Sequence, residues 1–174
     1  MKQLFGLFIL TALMFIVSCG EDDEPSIPEN SVTVTFDGTT YTKSSDDIVT
    51  FLEFSFNDVT SFAISGVAVN GTDTIELSIN IPVLAVATYS KSSTNDENVS
   101  ISISTPDDPF GYSTDPFFVD EDPTDYTLNI TEVTDKTVSG NFTATLYDDS
   151  DDDTVQASGE FVAVDFALFF TGFQ

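Results

Sequence analysis

The segment Ser139-Gly140-Asn141-Phe142-Thr143-Ala144 is followed, nineteen positions later, by the similar segment Ser158-Gly159-Glu160-Phe161-Val162-Ala163. An acidic run lies between them. If the chain folds back around this run, two strands form in which Gly140 lies opposite Phe161 and Phe142 lies opposite Gly159. Each ring then covers the bare backbone of the glycine across from it, which fixes the register of the pair. The repeat therefore predicts a closing β-hairpin.

A period of two recurs along most of the chain. Apolar residues alternate with polar ones from Val32 to Phe36, from Ile75 to Ile81 and from Val99 to Ile103. The pairs Asp37-Gly38 and Asn70-Gly71 are typical turns of two-stranded hairpins. No segment of useful length has the periodicity of an amphipathic helix. We therefore predict an all-β fold, an antiparallel sandwich or flattened barrel of about eight to ten strands.

Two stretches are less regular. The segment from Ile48 to Phe56 could start as a capped helix, but its β-branched and aromatic residues favour a strand. A two-residue turn at Asp135-Lys136 would set Ile130 opposite the polar Asn141. We therefore predict a three-residue connection or a nearby bulge, either of which would set Ile130 opposite Phe142.

The composition excludes several classes of function. The chain has 30 Asp and Glu against 4 Lys and Arg, and its formal net charge is −26 at pH 7. Such a surface repels phosphate backbones, so we expect no nucleic-acid partner. The chain has no His and one Cys. This excludes His-dependent nucleophiles, histidine zinc sites and an internal disulfide.

The N-terminal residues have the pattern of an export signal. Lys2 gives a positive start, and the apolar run from Leu4 to Val17 is shorter than the roughly 20 residues of a membrane-spanning helix. The run ends in Ile16-Val17-Ser18-Cys19, which resembles the lipobox of bacterial lipoproteins, whose cysteine is acylated and becomes the first mature residue. The resemblance implies that acyl chains on Cys19 attach the protein to a membrane.

An acidic cluster, Glu21 to Glu24, follows this cysteine at once. It resembles the surface-export signal of Bacteroidota lipoproteins, which implies a position on the cell surface of the outer membrane; a plain solvated tether is the alternative. We divide the chain into a signal peptide at 1–18, a lipidated acidic tether at 19–31 and a single β domain at 32–174. The Phe-rich tail from Val162 to Gln174 is then the last strand.

The segment from Pro106 to Asp125 lacks strand periodicity and combines acidic with aromatic residues. Loops of this length inside a compact domain are often functional. Its rings could stack on a sugar and its carboxylates could coordinate Ca²⁺, so we take it as a candidate glycan or calcium site. Rings folded onto the core are the alternative. The candidate ligand-binding residues are Phe110, Tyr112, Phe117 and Phe118.

Carboxylates of two acidic segments are weaker metal candidates, namely Asp115, Asp120, Asp122, Asp148 and Asp152. In the second segment, Asp148, Ser150 and Asp152 match the first ligands of an EF-hand loop. The match then fails, because Asp153 stands where that loop needs glycine and Gly159 where it needs glutamate. A solvated hairpin tip is the simpler interpretation, and apart from calcium we expect no cofactor.

Two further patterns point to chemistry on strands. Glu53 and Glu132 are the carboxylates closest in phase to the apolar positions, so they are the candidates for a glycosidase pair. Thr74 and Thr154 each stand between an aspartate and an aliphatic residue. This arrangement resembles the O-glycosylation motif of Bacteroidota envelope proteins.

Several of these features together resemble a family of uncharacterised Bacteroidota lipoproteins. They are the lipobox, the acidic tether, the opening Phe36-Asp37-Gly38-Thr39, the step Ala87-Thr88-Tyr89 and the closing hairpin. The chain departs from that family at Ala87, where glycine is expected, and at Asn141, where threonine is commoner. The resemblance implies a non-enzymatic binding or envelope role with an unknown glycan or protein partner. The alternatives are a carboxylate-dependent glycosidase and a structural assembly component.

Overall fold

A computed structural model describes residues 30–56, 59–91, 99–108, 111–114, 124–148 and 153–166. These residues form eleven strands and no helix, and so none of them lies in a helix that is long and apolar enough to cross a membrane. The strands are β1 (Ser31–Phe36), β2 (Thr39–Thr42), β3 (Thr50–Phe56), β4 (Val59–Asn70), β5 (Asp73–Ile81), β6 (Ala87–Ser90), β7 (Ser100–Ser104), β8 (Tyr112–Ser113), β9 (Tyr126–Val133), β10 (Thr137–Asp148) and β11 (Thr154–Asp165).

The strands form one ring-like sheet with two halves. One half has the order β6-β9-β10-β11-β1-β2, and the other has the order β3-β4-β5-β7. The short strand β8 joins β7 to β10, while β2 meets β4 and β11 meets β3. The predicted all-β sandwich or flattened barrel is confirmed. Its strand number exceeds the expectation because Tyr112–Ser113 pairs as a strand inside the segment predicted as a loop.

One pairing departs from the predicted antiparallel arrangement. β11 and β3 run parallel where Val164 meets Thr50 and Asp165 meets Phe51. This contact closes the ring on the side of β11. Close by, the side chain of Asn30 donates to the backbone oxygen of Val49 at 2.5 Å and accepts from its N–H at 2.9 Å. The residue just before β1 thereby ties down the start of β3.

The core lies between the inward faces of the two halves. Val34, Ile64, Leu77, Ile79, Ile101, Ile103, Leu128 and Leu146 are all fully buried. Burial alternates along β1 and β5 as the sequence pattern predicts, because successive side chains on a strand point to opposite faces.

The closing hairpin has the predicted register at every position. Gly140 pairs with Phe161, and Phe142 pairs with Gly159. An added Cβ on Gly140 would lie 2.7 Å from the Phe161 ring, and one on Gly159 would lie 2.8 Å from the Phe142 ring. Both rings are 2% exposed. The rings therefore occupy the space that a side chain on the opposite glycine would need.

The connection from β9 to β10 confirms the second of the two predicted alternatives, a nearby bulge. Val133 pairs with Val138 across a two-residue turn at 135–136, and the register then shifts so that Ile130 pairs with Gly140 and Leu128 with Phe142. The predicted three-residue connection is wrong, and so is the pairing of Ile130 with Phe142. A bulge at Thr131 keeps Ile130 inside, 2% exposed, because the extra residue corrects the alternation from the β9 side.

The ambiguous segment after residue 48 forms strand β3, as predicted. Phe51 faces inward, while Leu52 and Phe54 are 45% and 42% exposed. The tail predicted as a last strand is described only as far as Phe166, and its residues from Val162 to Asp165 form the end of β11, the second strand of the closing hairpin. Residues 167–174 lie outside the described part of the chain.

Candidate functional site

The predicted ligand-binding segment is only partly described. Tyr112 lies in β8, where its half-buried side chain packs against the core and its ring centroid is 4.9 Å from that of Phe36. This is the alternative arrangement, with the ring folded onto the core. Phe110, Phe117 and Phe118 lie outside the described residues.

The described parts of this segment are held firmly. The N–H of Thr124 donates to the backbone oxygen of Thr114 at 2.9 Å, so these two residues lie side by side. Thr114 is 1% exposed, and its hydroxyl accepts from the N–H of Ile101 at 3.0 Å. Gly111 has a φ of +64°, and an added Cβ would collide with the oxygen of Ile103. The scaffold at the base of the segment is therefore rigid.

The end of this segment borders a depression of about 390 Å³ lined by Ser90, Lys91, Asp125, Tyr126 and Thr127. It lies between the end of β6 and the start of β9. Its lining includes one positive side chain, Lys91, and one negative side chain, Asp125. The described residues of the predicted loop contribute no aromatic ring to this lining.

Only a few of the candidate metal and modification residues are described. Asp148 is buried at the end of β10, whereas Asp115, Asp120, Asp122 and Asp152 lie outside the described residues. Among the residues that are described, no group of three or more His, Cys, Asp or Glu side chains could hold a metal ion. Thr154 is exposed and Thr74 is half-buried. Cys19 also lies outside the described part.

The two candidate glycosidase carboxylates are not brought together. Glu53 lies on β3 and Glu132 on β9, which belong to different halves of the ring, and both are exposed. Neither side chain enters the core.

The outward side of β9, β10, β11 and β1 carries a surface that the sequence reasoning did not single out. We call it the polar face. It consists of Thr33, Thr35, Thr127, Asn129, Asn141, Thr143, Thr145, Gln156, Ser158 and Glu160. Glu160 is the only ionisable side chain among them. The alternation in the sequence did indicate that these residues face water, but it gave no sign of how they are connected.

A chain of hydrogen bonds crosses the polar face. The hydroxyl of Thr88, on β6, donates to Oδ1 of Asn129 at 2.8 Å, and Nδ2 of Asn129 donates to Oδ1 of Asn141 at 2.9 Å. Asn141 pairs directly with Glu160. The chain therefore runs from β6 across β9 to β10 and ends beside a carboxylate on β11.

This end of the chain opens into a second depression, of about 350 Å³. We call it the bulge depression, because the bulge residue Thr131 forms one wall. Ser31, Ser139, Asn141, Glu160 and Val162 form the rest of the lining, over a floor made by Gly140 and Phe161. The floor is rigid, because Gly140 and Phe161 are the pair locked by ring-on-glycine packing.

Comparison with protein-family models, with curated proteins and with solved structures found no match to this chain. The candidate sites are therefore inferred from the sequence and from the geometry of the described residues.

Proposed function

We propose that the chain is a lipid-anchored domain on the surface of the outer membrane, with a non-enzymatic role in binding a neutral, hydroxyl-rich ligand of the glycan class. The observation that carries the binding role is the bulge depression. It combines hydroxyl, amide and carboxylate groups on a rigid floor, and its size falls at the small end of the range for ligand sites.

The charge of the chain supports a neutral ligand. With a formal net charge of −26, the protein repels anions over distances of a Debye length, about 8 Å at physiological salt. A neutral sugar avoids this repulsion and offers hydroxyl groups that both donate and accept. The bulge depression supplies both kinds of partner.

Binding would be tested with the purified full chain on immobilised neutral polysaccharides, with an anionic polysaccharide for comparison. We expect retention by at least one neutral polysaccharide and none by the anionic one. A protein that is retained by no neutral polysaccharide would refute the glycan role.

The anchor and the surface position rest on the sequence and have their own tests. Replacement of Cys19→Ala should move the protein from the membrane fraction to the soluble fraction. If the variant stays with the membrane, acylation is not what holds it. For the unmodified protein, protease added to intact cells should degrade the domain if it is exposed on the surface.

One observation favours a role in assembly as a second candidate. Ile48, Leu52, Phe54 and Phe166 are 46%, 45%, 42% and 40% exposed, and all lie on or next to β3. Exposed apolar side chains concentrated in one region are typical of contact surfaces. If β3 is such a surface, Leu52→Ser combined with Phe54→Ser should abolish cross-linking of the protein to envelope partners, and unchanged cross-linking would exclude it.

A further inference from the structure

We propose that Asn141 and Glu160 are the recognition pair of the bulge depression and that they bind a vicinal diol of a neutral sugar. In this arrangement one hydroxyl of the diol donates to the carboxylate of Glu160, and its neighbour accepts from the amide Nδ2 of Asn141. The inference rests on the proposed glycan-binding function and gives it a site and a substrate class.

The first argument is the direction of the hydrogen-bond chain. The Oδ1 atom of Asn141 is occupied by the amide of Asn129, whose own Oδ1 accepts from Thr88. The Nδ2 atom of Asn141 is thus left to donate, and an amide nitrogen carries two N–H groups. Among the described residues, no side chain or backbone oxygen accepts from this nitrogen. The series of hydrogen bonds therefore leaves an N–H donor of Asn141 at the bulge depression.

The second argument is the position of the carboxylate. Glu160 lies directly opposite Asn141, and residues paired in this way have Cβ atoms about 4.5–5.5 Å apart. If the amides were turned over, Oδ1 of Asn141 would face the negative charge of Glu160, which is unfavourable. Glu160 thereby fixes the direction of the whole series of hydrogen bonds. The donor, Nδ2 of Asn141, then lies next to the acceptor, the carboxylate of Glu160.

The third argument is that Nδ2 of Asn141 and the carboxylate of Glu160 have no partner within the described part of the protein. Glu160 and Asn141 are both exposed, and in the described structure no hydrogen bond joins them and no cation pairs with Glu160. A donor and an acceptor, side by side and both available, match the two adjacent hydroxyls of a sugar ring. Ser31 and Ser139 add further hydroxyls around the same depression.

The same groups disfavour other ligands. Calcium takes six to eight oxygen ligands, usually with several carboxylates, whereas the lining of the bulge depression has one carboxylate. An anion would be repelled by the carboxylate of Glu160. An apolar ligand would cover both polar groups without offering them hydrogen-bond partners, which costs free energy. A neutral polyol satisfies both groups.

The experiment uses the purified full chain and measures its affinity for mannan, dextran, xylan and galactan, with polygalacturonate as the anionic comparison. The variants are Glu160→Gln and Asn141→Asp, with Asn141→Thr as a second replacement that suits a strand. The matched control is Thr143→Val, which lies on β10 two residues from Asn141 and on the same face but does not line the depression. Melting midpoints establish that every variant is folded.

We expect Glu160→Gln and both Asn141 variants to weaken binding of the retained polysaccharide by on the order of ten- to a hundredfold, as expected for loss of a hydrogen bond to a charged or oriented group. Thr143→Val should bind like the unmodified protein. Treatment of the polysaccharide with periodate, which cleaves vicinal diols, should abolish binding.

Three outcomes would overturn the inference in distinguishable ways. If no neutral polysaccharide binds, both the proposed function and this site fail. If one binds but the Asn141 and Glu160 variants behave like Thr143→Val, or if binding survives periodate, the site is wrong while the glycan role stands. If polygalacturonate binds as well as the neutral polysaccharides, the argument from charge is wrong.

Discussion

Replacement of Gly159 by alanine tests the packing on which the closing hairpin depends. An added Cβ would lie 2.5 Å from the backbone oxygen of Thr33 and 2.8 Å from a carbon of the Phe142 ring. Ordinary contact begins at 3.4 Å, so the first distance falls short by 3.4 − 2.5 = 0.9 Å. The ring is 2% exposed and Thr33 belongs to a paired strand. Neither neighbour can move without disturbing the core or the β1–β11 ladder.

The expected loss of stability follows from two opposing terms. Overpacking of a well-packed core typically costs 1–3 kcal/mol, and contact with backbone places this site near about 3 kcal/mol. Replacement of glycine by alanine also reduces the entropy of the unfolded chain, which stabilises the protein by about 0.4–1 kcal/mol. We expect Gly159→Ala to lower the free energy of unfolding by about 2 kcal/mol.

Urea denaturation of the purified chain would measure this change. With a urea m value of roughly 1–3 kcal/mol/M, the midpoint should fall by about 1 M at unchanged m. Gly66→Ala is the matched control, because its added Cβ would meet only side-chain atoms of Val49, the nearest at 3.0 Å. Overpacking at the low end of the range, about 1 kcal/mol, is offset by the same entropy gain, so the net cost should stay below about 1 kcal/mol. If Gly159→Ala leaves the midpoint unchanged, or costs less than Gly66→Ala, ring-on-glycine packing does not fix this register.

Three further predictions test other parts of the structure. Thr114→Val removes the acceptor of the buried Ile101 N–H and should destabilise by about 1–3 kcal/mol in the same urea assay, whereas the same change at the exposed Thr143 should stay within about 0.5 kcal/mol; equal effects would contradict the anchoring role of Thr114. Burial raises the pKa of the Tyr89 hydroxyl from its ordinary value of 10.0, and a hydrogen bond with the backbone of Ala85 lowers it in part. The neutral hydroxyl therefore stabilises the fold fully below the unfolded pKa, and this contribution is lost as the pH rises through the folded pKa. Melting midpoints should therefore fall above about pH 10, and less so in Tyr89→Phe; an identical alkaline decline in the variant would refute the assignment. Deletion of Thr131 should let β9 and β10 pair regularly and close the bulge depression; the fold should persist by circular dichroism while glycan binding is lost, and retained binding would exclude the bulge as a wall of the site.

The fold was largely predictable because pairs of large and small residues determine the register of the closing hairpin. Phe142 and Phe161 each need a glycine opposite them, and only one alignment of the two strands supplies both. Burial then follows from alternation, as at Val32 and Val34. The sequence could not place the bulge on β9, because an extra residue on either strand restores the alternation around Ile130 equally well.

The parallel contact between β11 and β3 was also beyond the reach of the sequence. It involves two residue pairs, Val164 with Thr50 and Asp165 with Phe51, and depends on how the two halves meet at one corner of the ring. No local sequence pattern indicates this contact between the two halves. The strand at Tyr112–Ser113 is similar, since two residues are too few to show a period.

The candidate site was least predictable for a related reason. Asn129, Asn141 and Glu160 are ordinary outward residues of three strands, and each alone indicates only contact with water. Their significance arises from the cross-strand register, which sets one amide beside the next and the last beside a carboxylate. The unusual aromatic and acidic composition of the segment from Pro106 to Asp125 predicts a ligand site there instead, but Tyr112, the one candidate ring that is described, packs against the core.

The scarcity of charged side chains on the polar face has a structural cause that is distinct from ligand binding. Like charges directly opposite one another on neighbouring strands are destabilising, so a chain with a net charge of −26 is expected to keep its acids in turns and loops. The outward face of β5 and β7 also carries a single carboxylate, that of Glu76 opposite Ser104, and on this face the amide of Asn80 donates to the hydroxyl of Ser100 at 3.3 Å. That pair ends on a hydroxyl and has no carboxylate beside it. What distinguishes the bulge depression is therefore the directed chain that ends at Glu160, and Asn80→Thr should leave glycan binding intact where Asn141→Thr removes it.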